Sequence, residues 1–162
     1  MTKSFSIWKN PIYIIAFGFG AGLSKKAPGT FGTLVGVLLY WPLSHVSLEW
    51  YLFITALCFL LGIWICGDTA EAVGVPDYPG IVWDEIVGFF ITMIGLPSTG
   101  LWVLLGFIVF RFFDILKPPP IRQLDAHLKG GLGVMVDDLV AGVFSCVLLH
   151  LIRYGLIFLN RA

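Results

Sequence analysis

Five of the chain's ten acidic residues interrupt segments that are otherwise strongly apolar. Asp84 and Glu85 break "IVWDEIVGFFITMIGL", Asp114 lies in "LLGFIVFRFFDILKPPP", and Asp137 and Asp138 lie in "GLGVMVDDLVAGVFSCVLL". Such stretches fold by leaving water. A carboxylate carried with them is costly unless a cation, hydrogen bonds or a shifted pKa compensates it. Any fold open to this chain must therefore gather these acids around something positive. A metal ion is the economical candidate, and an ionisable side chain at membrane depth marks a functional site.

The chain's 162 residues suffice for one domain, taken as 1–162. Its residues are 58% apolar and 12% charged, against roughly 45–50% and 25% in soluble domains. A mean hydropathy of +0.92 agrees. An integral membrane protein is expected, with a greasy soluble helical bundle as the alternative. Zero net charge, with no basic run or stacking motif, gives no support to a nucleic-acid partner. Cys58, Cys66 and Cys146 lie in apolar segments without a CxxC or a nearby histidine, so they form neither a disulfide frame nor a zinc site.

Apolar runs predict an all-α, multi-helical, membrane-embedded bundle of about four to five apolar helices. The expected helices cover 31–47, 48–66, 81–97, 100–116 and about 134–159, with turns at Pro42–Glu49 and at "PSTG". Residues 11–23 are too short and glycine-rich for a span and read as a short helical or re-entrant segment. Lys3, Lys9, Lys25 and Lys26 precede the first span, and Lys117, Arg122 and Lys129 follow the fourth. The 42–49 and 97–100 loops hold no Lys or Arg, so the positive-inside rule places the N-terminus and the 67–80 and 117–133 loops in the cytoplasm. Arg153 and Arg161 dissent mildly. All the polar clusters then fall on the cytoplasmic side.

Arg111, Asp114 and Lys117 recur at i, i+3 and i+6, on one helix face that the prolines at 118–120 terminate, with Arg122 just beyond. Cations around one carboxylate suit a phosphate beside its metal, Arg as a planar fork and Lys as a point charge; snorkelling side chains would show the same pattern. Asp84 and Glu85 diverge by about 100° on a helix, so one ion is not expected to hold both. Their alternative is an acidic pair at a helix N-terminus, and Asp77 either joins them or simply makes a turn. In "GGLGVMVDDLVAGV" a flexible glycine entry leads to two acids opening the last helix, where capping explains only one. Oxygen donors without His or Cys point to Mg²⁺ or Mn²⁺. "GFGAGLSKKAPGTFGT" is not a Walker A loop, yet Ser24, Lys25, Thr30 and Thr33 could line an anion site at a helix start. Lys25 and Lys26 could equally attract anionic headgroups.

The strings "GFGAGLSKKAPGTFG" (18–32), "GIVWDEIVG" (80–88), "FRFFDILKPPPIR" (110–122) and "GGLGVMVDDLVAGV" (130–143), in this order, resemble the phosphatidylglycerophosphatase A family of bacterial inner-membrane lipid phosphatases. The resemblance covers roughly residues 10–150. Thr33 stands where that family often has Ser, keeping a hydroxyl. The resemblance implies Mg²⁺-dependent removal of the terminal phosphate of phosphatidylglycerophosphate, giving phosphatidylglycerol, and an all-helical fold shared with soluble relatives. On this reading a subset of Asp84, Glu85, Asp114, Asp137 and Asp138 holds one or two Mg²⁺ ions, with Asp84, Glu85 and Asp114 also catalytic candidates. Arg111 and Lys117 stabilise the transferring phosphoryl group, and Ser24, Thr30, Thr33 and Arg122 join them in binding substrate. Attack by water or by an Asp carboxylate remains open. Two rivals are a small cation or proton transporter, whose acids should spread through membrane depth, and a CDP-alcohol phosphotransferase, whose Asp-x₂-Asp-Gly-x₂-Ala-Arg pattern is absent.

Overall fold

A computed structural model describes residues 6–75, 78–119, 121–123 and 128–160. Asp77 lies outside the described residues, as do Lys3 and Arg161. Every regular element described is helical. A 3-10 turn, Ile7–Lys9, precedes α1 (Pro11–Ala16), which starts where the Asn10 side chain accepts from the Ile12 amide and proline fills the first position. The kinked 3-10 segment Gly18–Leu23 follows, with positive φ at Gly18, Phe19 and Gly20. Residues 11–23 are thus a short, bent helical segment. Then come α2 (Pro28–Leu43), α3 (Leu48–Val73), α4 (Trp83–Thr92), α5 (Gly100–Leu116) and α6 (Gly130–Leu159).

Five apolar helices are therefore present after α1, but only α3 and α6 among the described residues are long and apolar enough to cross a membrane. That corrects the expectation of four to five spans. At 1.5 Å per residue, α2 and α5 reach only about 25 Å and α4 about 15 Å, short of a hydrocarbon core of roughly 30 Å. The expected helix over 81–97 ends early because Gly95 adopts φ 68° and turns the chain. Its terminal carbonyls are taken over by neighbours: Tyr51 donates to Phe90 O at 2.6 Å, His150 Nε2 to Ile94 O at 2.9 Å and Arg153 to Gly95 O at 3.1 Å. A helix end inside an apolar interior needs such partners. Arg153, the dissenter from the charge-based topology, has this structural employment.

α4 is the centre of the bundle. Ile86 through Thr92 are all buried, and α2, α3, α5 and α6 all pack against it. Close approach is made by glycine: a Cβ at Gly142 of α6 would stand 2.6 Å from the Gly88 carbonyl of α4. α6 also starts four residues earlier than expected. "GGLG" is not a flexible entry but the first turn, where a side chain on Gly131 would overlap the Ile63 carbonyl of α3. This moves Asp137 and Asp138 from the helix's opening to its third turn, so capping accounts for neither.

Candidate active site

The N-termini of α2 and α4, the end of α5 and the early turns of α6 enclose an open pocket of about 260 Å³. Two of the chain's non-glycine residues with positive φ line it: Ala27 (49°), just before Pro28, and Lys117 (41°), which ends α5. Backbone strain of this kind clusters at functional sites. α4 begins where the Val82 amide donates to the Ala16 carbonyl at 2.8 Å, and its first turn brings Asp84 and Glu85 to the pocket. That turn is also where the helix macrodipole favours negative charge.

The five acids divide by what they touch. Asp114 accepts from Arg111 three residues before it, and Asp137 Oδ2 accepts from Lys117 Nζ at 2.6 Å. Glu85 Oε1 lies 3.9 Å from Arg111 Nη1. Asp84, Glu85 and Asp138 each bring one carboxylate oxygen to within 4.8 Å of the other two. The adjacent side chains thus lie close enough to share an ion with Asp138, although their Cα–Cβ bonds diverge. Asp84 Oδ1, Glu85 Oε2 and Asp138 Oδ2 are buried and accept no hydrogen bond from the described residues. Desolvation pushes the Asp84 carboxyl well above the ordinary carboxylate range, and the charge of Glu85 adds to it. Burial raises Glu85 to about 8, against the lowering effects of its contact with Asp84 and of Arg111. Three carboxylates, each with a buried orphaned oxygen and all hard donors, suit a small divalent cation.

Other candidates lie elsewhere. The Thr33 hydroxyl is wholly buried and donates to the Gly29 carbonyl at 2.8 Å within α2. Ser24 donates to the Lys26 carbonyl at 2.8 Å, closing a local turn. Neither they nor Thr30 nor the exposed Arg122 line the pocket, whereas Arg111 and Lys117 do. Gly29 and Tyr78 do line it. A Cβ on Gly29 would overlap the Glu85 carboxylate and stand 3.0 Å from Arg111 Nη1. The acids gather at one end of the bundle instead of spreading along its depth, which is not the arrangement expected of a transporter.

Residues 14–153 match the family described as Phosphatidylglycerophosphatase A. The chain belongs to the phosphatidylglycerophosphatase A family. It is 46% identical over 150 residues to a Haemophilus influenzae protein named phosphatidylglycerophosphatase A, covering 91% of this chain and 92% of that one. It is 40% identical over 155 residues to the Escherichia coli protein of the same name, covering 95% and 90%. A Bacteroides thetaiotaomicron relative, 37% identical over 149 residues and covering 87% and 92%, is named a putative phosphatidylinositol-3-phosphatase. No solved structure matches the chain. Family membership makes it an enzyme, a phosphoric monoester hydrolase.

Proposed function

We propose that the protein hydrolyses the terminal phosphomonoester of phosphatidylglycerophosphate, giving phosphatidylglycerol and phosphate, in a bacterial inner membrane with its site on the cytoplasmic side and with Mg²⁺ as cofactor. One observation carries the metal requirement. Five carboxylates and two cations line the pocket, so with all of them ionised it is three charges negative and repels a phosphate dianion. One divalent cation cuts that excess to a single negative charge and sets a local positive centre beside the phosphate. Asp84, Glu85 and Asp138 would hold it, and when bound it supplies charge neutralisation and Lewis-acid activation at the phosphoryl group.

The chain's own groups do the rest. Arg111, oriented by Asp114, presents its guanidinium fork to the phosphoryl oxygens, and Lys117, anchored by Asp137, adds a second positive charge. The amide end of α2 at Gly29 faces the same space and favours an anion. In hydrolysis a new bond from the water oxygen to phosphorus forms as the bond from phosphorus to the lipid's terminal oxygen breaks, a proton of that water ending on the departing oxygen, so these fixed charges act where negative charge accumulates. α3 and α6, the apolar outer surface and the Lys- and Arg-free distal loops support the membrane placement.

The test is phosphate release from a panel of phosphatidylglycerophosphate, phosphatidylinositol 3-phosphate and phosphatidic acid, with and without EDTA. Release from the first, abolished by chelation and restored by Mg²⁺, is expected. Preference for the inositol lipid overturns the substrate, as the Bacteroides relative's name makes worth checking. Full activity in excess EDTA overturns the metal.

A further inference from the structure

We propose that the apolar groove beside the catalytic pocket seats the acyl chains of the lipid substrate next to its glycerol, so that the N-terminal segment forms the lipid-binding lip; this rests on the lipid-phosphatase reading above. The groove, about 330 Å³, is lined by Ser6, Ile7, Trp8, Phe17, Leu23 and Tyr78. Tyr78 lines both this groove and the charged pocket. A single aromatic residue thus joins a chamber of carboxylates and cations to one of hydrocarbon character. An amphiphile with a terminal phosphate has that polarity pattern, and an acyl chain is the occupant whose chemistry the five apolar linings match.

The groove is built into the fold at the catalytic helix. Phe17 packs on Tyr78 with ring centroids 5.8 Å apart, and the Ala16 carbonyl holds the Val82 amide two residues before Asp84. The turn after Phe17 then runs through three successive positive φ values at Gly18, Phe19 and Gly20. For a residue as bulky as Phe19 this conformation is a true outlier. Phe19 is 54% exposed, close in sequence to the groove residue Leu23 at 52%, and Trp8, which also lines the groove, is 66% exposed. A Cβ on Gly20 would meet the Trp8 indole at 3.6 Å, which ties the turn to the groove wall. Strain that keeps apolar side chains outward beside a catalytic pocket is accounted for if hydrocarbon covers them.

The experiment uses the wild-type protein in phosphatidylcholine vesicles containing a trace of phosphatidylglycerophosphate with a diazirine near the carboxyl end of one acyl chain. On irradiation the label should map to residues 7–23 and Tyr78. A phosphatidylcholine probe with the same chain should label the outer faces of α3 and α6 instead. Equal labelling of the lip by both probes, or labelling by the substrate probe on α3 and α6 alone, overturns the proposal. Kinetics supply the second arm. Trp8→Ala and Leu23→Ser should raise KM for the dioleoyl substrate in mixed micelles roughly tenfold. Their turnover of the deacylated headgroup phosphate should stay within about twofold of wild type, which also reports that they fold. Equal losses on both substrates overturn the groove. Labelling at the lip without any phosphate release would leave the groove standing and sink the phosphatase reading; release without labelling there does the reverse.

Discussion

Gly29 has no side chain, yet its position decides whether Glu85 and Arg111 can share the pocket. Gly29→Ala would drive a methyl into the Glu85 carboxylate against the Arg111 guanidinium. Its rate should fall about 10²-fold or more, since small displacements of positioned groups cost that much, while thermal unfolding shifts only modestly. Asp84→Asn, Glu85→Gln and Asp138→Asn should each lower turnover by about 10²–10⁴-fold and abolish stabilisation by added Mg²⁺. Without metal the same substitutions should raise the melting temperature at neutral pH, because each removes a buried carboxyl that must either take up a proton on folding or keep an uncompensated charge. The pH dependence follows. Glu85 titrates from an unfolded value of 4.5 to about 8 in the fold, and Asp84 also moves upward. Between those limits the folded state binds more protons than the unfolded one, so stability is full below about pH 4.5 and is lost as pH rises towards 8. The metal-free protein should melt lower at pH 8 than at pH 5.5, and the slope should flatten in the Asp84→Asn, Glu85→Gln double variant. A melting temperature rising with pH in chelator would contradict the assignment. Sequence spoke clearly for these acids because burial makes each of them expensive. It offered Thr33 as a substrate-binding residue, whereas the hydroxyl turns back onto its own helix away from the pocket, a choice that a string of letters does not record.

At the scale of the element, α4 was the hardest to read. Its apolar run continues to Leu96, and composition does not separate a helix from a helix followed by a buried turn. What makes the turn at Gly95 tenable is supplied from far along the chain, by Tyr51, His150 and Arg153, which pair the carbonyls it leaves free. The start of α6 was misread for a related reason. Its glycines look like a hinge locally but serve close packing against α3, which only the neighbour reveals. Gly88 shows how tight the register is, because a Cβ there would stand 2.6 Å from the Phe110 ring and 3.0 Å from the Asp138 carbonyl. Gly88→Ala should therefore cost roughly 1–3 kcal/mol by overpacking. It should also shift the midpoint of a Mg²⁺ titration, since Asp138 moves relative to Asp84. Calorimetry and metal titration of that variant check both halves; an unchanged midpoint would mean that α6 gives way without moving its carboxylate.

Over the whole molecule, the gathering of polar clusters at one end was legible in advance from where Lys and Arg are absent. The number of spans was not, because α2, α4 and α5 are as apolar as spanning helices but too short. Cysteines introduced at Lys26 and Lys129 should resist an impermeant thiol reagent added to intact cells, and one at Ser98 should react. Ready labelling at Lys26 and Lys129 would invert the orientation.

The burial of α4 on every side has a consequence for how this enzyme fails. The helix that supplies Asp84 and Glu85 is the innermost one, so those residues cannot come loose by fraying or by a mobile lid. Its amide protons should exchange with deuterium only through global opening, among the slowest in the chain. Denaturant should then extinguish catalysis and helical circular dichroism at one midpoint. Local opening of α4 offers no route to a folded protein that keeps its metal and has lost these two carboxylates.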